Sequence, residues 1–311
     1  MIASLWPPAM WDWAFSQQTI ESHWKTFLAG DNNFSAWDPV FTAVFIAGAM
    51  FVVTWLLAWA TGNYSQVDKL WSILPPFYAV LFGLSRWQNT RMALCMGLPV
   101  LWGVRLTYNF YRKGGYSWHE EDYRWPILRQ KMHPVLFQIF NFIFIALFQN
   151  YLLLSIVAPA YFAYLAVGSS RSAMNQWDYV ALGGFVTALA IETLADQQQF
   201  DFQIEKYRRK NAGLALSGDY AVGFFRHGLF AYSRHPNFIS EMSIWWFYYL
   251  FSVGASGELF NWTMAGTVLL SLLFQGSTTF TEQISAAKYP AYKKYQQAVP
   301  RLIPYPLPTK R

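Results

Sequence analysis

Long apolar runs separated by short polar connections dominate the chain. Seven runs have the length and apolar character of membrane-spanning helices: residues 39–60, 70–88, 92–112, 134–165, 178–196, 239–254 and 262–282. A helix of about 20 mostly apolar residues crosses a hydrocarbon layer of about 30 Å. The pattern therefore predicts an all-α, polytopic bundle of seven transmembrane helices over residues 39–311, preceded by an N-terminal extension over residues 1–38.

Local features refine three of these segments. Pro75 and Pro76 predict a kink in the second span. The fourth span is long enough to tilt or to extend beyond the bilayer. In the N-terminal extension, Trp13, Ile20 and Trp24 recur near helical spacing and indicate an amphipathic helix at the membrane interface.

Composition excludes a soluble core. The chain is 54% hydrophobic and only 13% charged, whereas a soluble domain carries about 25% charged residues. The net charge of +6 lies mainly in loops and forms no continuous basic face, so nucleic acid is not an expected partner. The single cysteine, Cys95, excludes an intrachain disulfide and a cysteine-cluster metal site.

Most of the basic residues fall in three connections, at 112–133, 197–238 and after residue 282, and the other connections are basic-poor apart from Arg86 and Arg91. Seven spans place all three on one side of the membrane. The positive-inside rule then predicts a cytoplasmic C-terminus and an N-terminus outside, in an endoplasmic reticulum membrane or a bacterial inner membrane. The oligomeric state stays open.

A compact polar sequence opens the sixth span. It runs from Tyr232 through Ser233, Arg234, His235, Pro236 and Asn237 to Phe238, and is followed by Glu241. Pro236 suits the first turn of a helix, and Asn237 and Glu241 then share one helix face. A helix N-terminus with these side chains predicts a site for an anionic ligand.

Two other helical faces carry charge inside predicted spans. Arg105, Tyr108, Asn109 and Arg112 recur at spacings of three and four, and predict either a cationic wall for a phosphate group or an arginine that snorkels to the surface. Glu192 and Asp196, four residues apart, suit general acid–base chemistry or a solvated helix end. No histidine or third carboxylate accompanies Asp196 on this segment, so no metal site is expected.

Isolated polar residues in other spans have simpler interpretations. Gln138, Asn141 and Gln149 on the fourth span, and Gln275, Thr278, Thr279 and Glu282 on the seventh, are typical of hydrogen bonds between helices. Asp68 at the start of the second span either caps that helix or lines a cavity.

Ordered blocks across residues 60–305 resemble the DUF1295 group of the steroid 5-alpha-reductase family, whose members are multi-span NADPH-dependent reductases of conjugated carbon–carbon double bonds. The matching blocks are Asp68 with Trp71; Trp102 to Leu106 with Arg112; Glu121 to Arg124; Ala195 to Gln198 with Phe202; Gly228 to Phe230; Tyr232 to Phe238 with Glu241; and Glu282, Lys288 to Pro290, Tyr292, Tyr295 and Ile303 with Pro304. The chain departs from the usual signature at Phe238, Ile239 and Ser240.

The resemblance implies an oxidoreductase acting on CH–CH groups that holds NADPH at its cytoplasmic side. The cofactor-binding residues it implies, together with those the spacing indicates, are Arg105, Arg112, Asp196, Tyr232, Arg234, His235, Asn237, Glu241, Tyr292 and Tyr295. Hydride would pass to the β-carbon of an enone in an apolar, membrane-soluble substrate. Tyr108 is the expected donor to the carbonyl oxygen, Asp68 is a candidate acid, and Glu241 contacts the nicotinamide end.

Two alternatives stay open. Isoprenylcysteine carboxyl methyltransferases carry a similar Arg-His-Pro signature and bind S-adenosylmethionine, although a glutamate pair usually stands where this chain has Thr281 and Glu282. The second alternative is a non-enzymatic membrane protein built on the same fold.

Overall fold

The computed structural model describes residues 39–304, and this range contains helices and connecting turns but no strand. The helices are α1 Pro39–Thr61, α2 Leu74–Gly83, α3 Thr90–Arg112, α4 Arg124–Lys131, α5 Pro134–Phe140, α6 Gln149–Ser155, α7 Pro159–Ala166, α8 Gln176–Asn211, α9 Asp219–Val222, α10 Pro236–Ser256, α11 Met264–Lys288 and α12 Tyr292–Ala298. The predicted interfacial helix within residues 1–38 lies outside the described range.

Three helical runs are both long enough and apolar enough to cross a membrane. They are Pro39–Thr61, Pro134–Ala166 and Gln176–Asn211. The chain thus has the helices of a membrane protein. Helices α3, α10 and α11, with 23, 21 and 25 residues, are also long enough to cross a membrane. They are less apolar than the three runs above, because they contain more polar side chains.

The chain divides into two compact units. Within the described residues, the first unit contains residues 39–181 together with Tyr248–Thr267, and the second contains Leu182–Phe247 and residues 268–304. Three long helices, α8, α10 and α11, each continue from one unit into the other.

In the first unit, α1 has its small residues inside and its large residues outside. Ala43, Ala47 and Ala58 are buried, whereas Phe45 and Trp59 are 56% and 70% exposed. Small residues allow close helix packing in a membrane, where lipid solvates the large apolar side chains. The sequence of α1 therefore fits a helix with lipid on its outer side.

The predicted kink at Pro75 and Pro76 is wrong. Helix α2 begins at Leu74, so both prolines lie in its first turn, where their missing N–H groups cost no intrahelical hydrogen bond. Short 3-10 turns at Asp68–Leu70 and Leu84–Arg86 flank the helix. The expected span of 70–88 is therefore a shorter helix of 10 residues.

Helices α2 and α3 approach closely at Gly103. A Cβ atom there would lie 2.4 Å from Cγ of Pro76 and 2.6 Å from the carbonyl oxygen of Ser72. Only glycine permits this separation, so Gly103 sets the packing of the helix pair.

The fourth predicted span is irregular. A π-helix at Asn141–Phe148 joins α5 to α6, and a turn separates α6 from α7 before Pro159. Hydrogen bonds form at both ends, but to the connection before α2 and not to a second helix as predicted: Gln138 donates to the Tyr64 hydroxyl at 2.8 Å, and Gln149 accepts from Trp71 Nε1 at 2.8 Å. Asn141 is fully buried.

In the second unit, α8 and α10 pack antiparallel. A Cβ atom on Gly184 would lie 2.1 Å from the Phe247 ring, and Asp196 contacts Asn237. The residue nearer the start of α8, Gly184, meets the later residue of α10, and Asp196 meets the earlier one. The two helices therefore run in opposite directions.

Candidate functional site

Two polar pairs lie along the α8–α10 interface. Asn237 Nδ2 donates to Asp196 Oδ1 at 3.4 Å, and Asp196 is only 6% exposed. The helix α10 begins at Pro236, as the sequence predicted, which places Asn237 in its first turn.

Glu192 and Glu241 lie one helical turn further along the same interface. Because α8 and α10 are antiparallel, a step from Asp196 back to Glu192 and a step from Asn237 forward to Glu241 move in the same direction. Both glutamates are buried, at 4% and 6% exposure, and Glu241 accepts from Trp245 Nε1 at 2.9 Å. We call these four residues, Glu192, Asp196, Asn237 and Glu241, the polar ladder.

The solvated-end interpretation of Glu192 and Asp196 is wrong. Helix α8 continues to Asn211, so both carboxylates lie in mid-helix and are shielded from water. Carboxylates buried among apolar helices are costly and mark functional sites. The ladder is therefore the strongest candidate site in the second unit.

Arg234 and His235 contact the far end of the chain. Arg234 Nε and Nη2 donate to the two carboxylate oxygens of Glu282 at 2.6 and 3.0 Å, and His235 Nε2 lies 3.0 Å from Glu282 Oε1. Gln296 Nε2 donates to the same carboxylate at 2.9 Å. We call Arg234, His235, Glu282 and Gln296 the Glu282 network.

The remaining donors of Arg234 bind the backbone at the end of α12 and just after it. Its Nη1 donates to the carbonyl of Gln296 at 2.8 Å and also to that of Val299, while its backbone N–H donates to Pro300 at 2.9 Å. Four of the five guanidinium N–H groups are thus used within the protein. The signature arginine, which the sequence assigned to a cofactor, fixes the C-terminal segment against the start of α10.

The departures from the usual signature have local explanations. The Phe238 ring stacks on His235 at 5.2 Å and meets Phe274 edge-on at 5.0 Å. Ser240 donates to the carbonyl of Pro236 within its own helix at 2.8 Å. These residues therefore pack the first turn of α10.

Of the three tyrosines predicted to bind the cofactor, two belong to an aromatic core. Tyr292 and Tyr295 of α12 pack with Phe224 and Val299, and the Tyr295 hydroxyl donates to the carbonyl of Phe230 at 2.6 Å. Tyr232 is different, since it is 38% exposed. Only Tyr232 among these tyrosines presents its ring to the surface.

The block that contains Asp196 has a second role. Gln198 Oε1 accepts from the backbone N–H of Leu229 at 3.0 Å. A Cβ atom on Gly228 would lie only 2.5 Å from this oxygen, and Gly228 has a left-handed φ of +56°. Glycine at this position lets α8 hold the loop that leads into the signature.

Asp68, in the first unit, caps no helix. No side-chain cap is present at either the 3-10 turn or α2; instead Asp68 Oδ2 accepts from Trp125 Nε1 at 2.9 Å. Burial raises the pKa of Asp68, although neighbouring Arg124 acts in the opposite direction. The capping interpretation is wrong, and the carboxyl group sits in a partly desolvated setting.

The Glu-Asp-Tyr-Arg block, Glu121 to Arg124, had no predicted role. Its first two residues form hydrogen bonds with the segment before Asp68. Glu121 Oε1 accepts from the backbone N–H of Tyr64 at 2.9 Å, and the N–H of Asp122 donates to Ser65 Oγ at 2.8 Å. Asn63 Nδ2 also donates to the carbonyls of Trp118 and Glu120. No local signal reveals these contacts, because the partners are 57 residues apart.

Tyr108 lies at the exposed edge of the predicted polar face of α3. It is 63% exposed, like Val104 and Tyr111, and together with them it lines a groove of about 460 Å³ between α2 and α3. Ser72 and Thr107 also line this groove, and Thr107 Oγ1 donates to Ser72 Oγ at 2.8 Å.

The other residues of this face are shielded or bonded within α3. Arg112 donates to Asn109 Oδ1 through Nε at 3.0 Å and Nη2 at 2.8 Å, and Nε and Nη2 of Arg105 are shielded from solvent. The Arg112 guanidinium also lies over the Tyr108 ring, 5.5 Å from its centre. The predicted polar face therefore forms, with Asn109 buried and Tyr108 at its exposed edge.

An ion pair in the first unit was not singled out from the sequence. Arg91 and Asp178 are 1% and 0% exposed and joined through two bonds of 2.7 Å. Arg91 also donates to the carbonyls of Arg171 and Ala173 at 2.6 Å. Within residues 39–304, no group of three or more His, Cys, Asp or Glu side chains is arranged to hold a metal ion.

Fold and site together define an all-helical membrane protein with buried carboxylates between two helices and a signature loop tied to its C-terminal segment. The chain belongs to the family described as "Protein of unknown function (DUF1295)", whose model matches residues 54–299. This confirms the family to which the sequence blocks pointed.

A curated relative extends the likeness to nearly the whole chain. It is an uncharacterized protein of Schizosaccharomyces pombe, C594.04c, which is 38% identical over 312 residues, covering 95% of this chain and 90% of the relative. No solved structure matches.

Proposed function

We propose that this protein is an NADPH-dependent reductase of a conjugated carbon–carbon double bond in a membrane-soluble lipid or steroid-like substrate. The observation that carries the proposal is the polar ladder, because three buried carboxylates lie beside the half-buried amide of Asn237 where two helices meet. Membership of DUF1295, and the resemblance of its blocks to steroid 5-alpha-reductases, support the choice of chemistry.

The ladder suits the nicotinamide end of the cofactor. A carboxamide has an NH₂ donor and a carbonyl acceptor, and Glu241 and Asn237 offer a carboxylate acceptor and an amide donor one turn apart. Asp196 is bonded to Asn237 and orients that amide; in the proposal its carboxylate would accept from a ribose hydroxyl. The chemistry of this donor set therefore fits the group.

Other predicted cofactor contacts take on different roles in the proposal. Arg234, His235 and Tyr295 support the site by fixing the loop and α12, since their polar atoms contact protein groups. Tyr292 belongs to the same aromatic core. Arg105 and Arg112 remain proposed phosphate contacts, and Tyr232 a proposed contact at the surface.

When bound, the cofactor supplies a hydride from its nicotinamide C4 to the β-carbon of the enone. The π electrons move toward the carbonyl oxygen, and a proton added at the α-carbon completes the saturated product. Tyr108 is the proposed donor to the oxygen, where negative charge builds up. Asp68 is the proposed acid, and its raised pKa favours the protonated form that such a role needs.

The groove beside Tyr108 supports an apolar substrate. Its volume of about 460 Å³ lies within the range of small-molecule sites. Apart from the hydroxyls of Ser72, Thr107 and the two tyrosines, its lining is apolar. A ligand with one carbonyl or hydroxyl group and a hydrocarbon body matches this surface.

We infer a topology of seven spans for the whole chain, with the N-terminus outside and the C-terminus cytoplasmic. The three long apolar helices account for three spans. α3, α10 and α11 supply three more, and the seventh is the segment 70–88, in which 3-10 turns extend the short helix α2. The basic connections support this orientation, which puts the start of α10 on the side where NADPH is available.

Thermal unfolding in detergent tests the cofactor. A ligand that binds the native state alone raises stability, by about 2.7 kcal/mol at a hundredfold excess over its Kd. We expect NADPH to raise the Tm and S-adenosylmethionine to leave it unchanged. No shift with saturating NADPH would rule out the reductase, and a shift with S-adenosylmethionine alone would indicate the methyltransferase.

The site is tested by Asn237→Ala and Glu241→Ala. In each variant, the NADPH concentration that gives half of the maximal Tm shift should rise at least tenfold, because each substitution removes one hydrogen bond to the cofactor. Ser243→Ala is the matched control, since Ser243 donates only within α10, to Ile239. Wild-type response in both site variants would show that the ladder does not bind the cofactor.

A further inference from the structure

The C-terminal segment of the chain is strongly basic. Residues 283–311 contain no aspartate or glutamate and carry six cations: Lys288, Lys293, Lys294, Arg301, Lys310 and Arg311. Within the described part of the segment, Arg301 contacts Gln275 and Thr279. In that same part, Lys288, Lys293 and Lys294 are exposed and take part in no salt bridge.

The short helix α12 presents its lysines on one side. Tyr292, Tyr295 and Val299 are buried in the aromatic core, whereas Lys293, Lys294 and Gln297 are exposed. This alternation follows the period of a helix with one covered face. The lysines therefore point away from the protein.

The contacts beneath α12 hold this lysine face in place. The Glu282 network binds Gln296, Arg234 binds the backbone of Gln296 and Pro300, and Tyr295 bonds to Phe230. A charged surface that is already ordered loses little conformational entropy when a partner binds.

The length of α11 sets the depth of Lys288. A helix of 25 residues is about 37 Å long, and hydrocarbon is about 30 Å thick. Leu269 and Leu272 in its first half are exposed, at 39% and 61%, as expected beside lipid. If α11 spans the bilayer, its last residue, Lys288, emerges at the level of the headgroups, and α12 follows four residues later.

We propose that Lys288, Lys293 and Lys294 form a docking surface for anionic phospholipid headgroups on the cytoplasmic leaflet. Lysines just beyond the end of a span are attracted to a negatively charged leaflet, and no carboxylate in this segment competes. The inference rests on the proposed topology, in which α11 is a span, and not on the proposed reductase chemistry.

The test uses the full-length protein in detergent with added phosphatidylglycerol or phosphatidylcholine. Phosphatidylglycerol should raise the Tm more, and added salt should reduce the difference. In the variant Lys288→Gln/Lys293→Gln/Lys294→Gln, the lipid concentration for half-maximal stabilisation should rise about tenfold or more. The corresponding triple Lys→Arg variant should respond like the wild type.

A control separates this surface from general charge. The variant Lys113→Gln/Lys131→Gln/Lys210→Gln removes the same charge from exposed positions in other basic connections. It should lose much less of the lipid response, because carboxylates in those connections, such as Glu121 and Glu205, compete with headgroups for the cations. An unchanged response in the α11–α12 variant, or equal loss in the control, overturns the proposal. So does an equal effect of inorganic phosphate, which would indicate a phosphate site and not a lipid surface.

Titration with NADPH keeps the two proposals distinguishable. The lysine variant should retain the wild-type NADPH shift. A lost NADPH shift with a retained lipid response would assign the lysines to the cofactor and contradict the lipid surface, whereas failure of wild type to bind NADPH would leave the lipid comparison intact.

Discussion

At the scale of single residues, the pair Arg91 and Asp178 shows how burial changes the value of a charge. The guanidinium of Arg91 donates to the carboxylate of Asp178 and to three carbonyl oxygens, including that of Gly254. Both side chains are almost fully buried. The first turns of α3 and α8 are therefore tied to the end of α10 within the first unit.

Replacing one member of this pair should destabilise the protein strongly. Arg91→Met leaves a buried carboxylate without its partner, which costs about 3–5 kcal/mol. The double variant Arg91→Met/Asp178→Leu should recover much of that loss, because no unpaired charge is left. Thermal unfolding of the two single variants and the double variant gives the coupling; additive losses would contradict a paired role.

At the scale of elements, α8 and α10 depend on one small residue. Gly184 lies under the Phe247 ring, whereas a Cβ atom on the adjacent Gly183 would have no neighbouring atom within 4 Å. The same helix thus offers two neighbouring glycines, one in the interface and one facing open space.

Replacing these two glycines by alanine should change the stability of the protein in opposite directions. Gly184→Ala forces Phe247 to move and should cost about 1–3 kcal/mol. Gly183→Ala removes only the flexibility of glycine in a helix and should add up to about 1 kcal/mol of stability. Chemical or thermal unfolding measures both. A loss of stability in Gly183→Ala as large as that in Gly184→Ala would argue against the close α8–α10 contact.

At the scale of the whole molecule, the proposed topology puts the connection between α3 and α4 inside and that between α10 and α11 outside. Glu120 and Glu258 are exposed positions in these two connections. The only native thiol, Cys95, is fully buried and gives little background in labelling experiments.

Cysteines introduced at these positions should be labelled from opposite sides. A membrane-impermeant maleimide should modify Glu258→Cys in intact cells or right-side-out vesicles, and Glu120→Cys only after the membrane is opened. Three of the seven predicted spans separate the two positions, and an odd number of spans puts them on opposite sides of the membrane. Labelling of both from the same side would refute the seven-span topology.

Much of the fold could be predicted because its signals are local. Apolar runs located α1, α3, α10 and α11 to within a few residues at most ends, and Pro236 marked the start of α10. The second and fifth spans were less accurate: α2 is shorter than expected and α8 continues to Asn211. A polar sequence after a span looks the same whether the helix stops or continues.

The candidate site was predicted only in outline. The residue types of the ladder were identified from the spacing of Glu192 with Asp196 and of Asn237 with Glu241. Their burial was not, because burial depends on α8 meeting α10 in an antiparallel arrangement. The same limit applied to Tyr108, whose exposure beside the groove depends on the position of α2.

The sequence by itself determined a helical membrane protein, its family and the ordered polar blocks, since composition, periodicity and short motifs are properties of neighbouring residues. Only the tertiary structure decided what those blocks contact. Arg234 meets Glu282 across 48 positions, Asp68 meets Trp125 across 57, and Arg91 meets Asp178 across 87. Such pairs form when helices pack, and packing is a property of the whole chain.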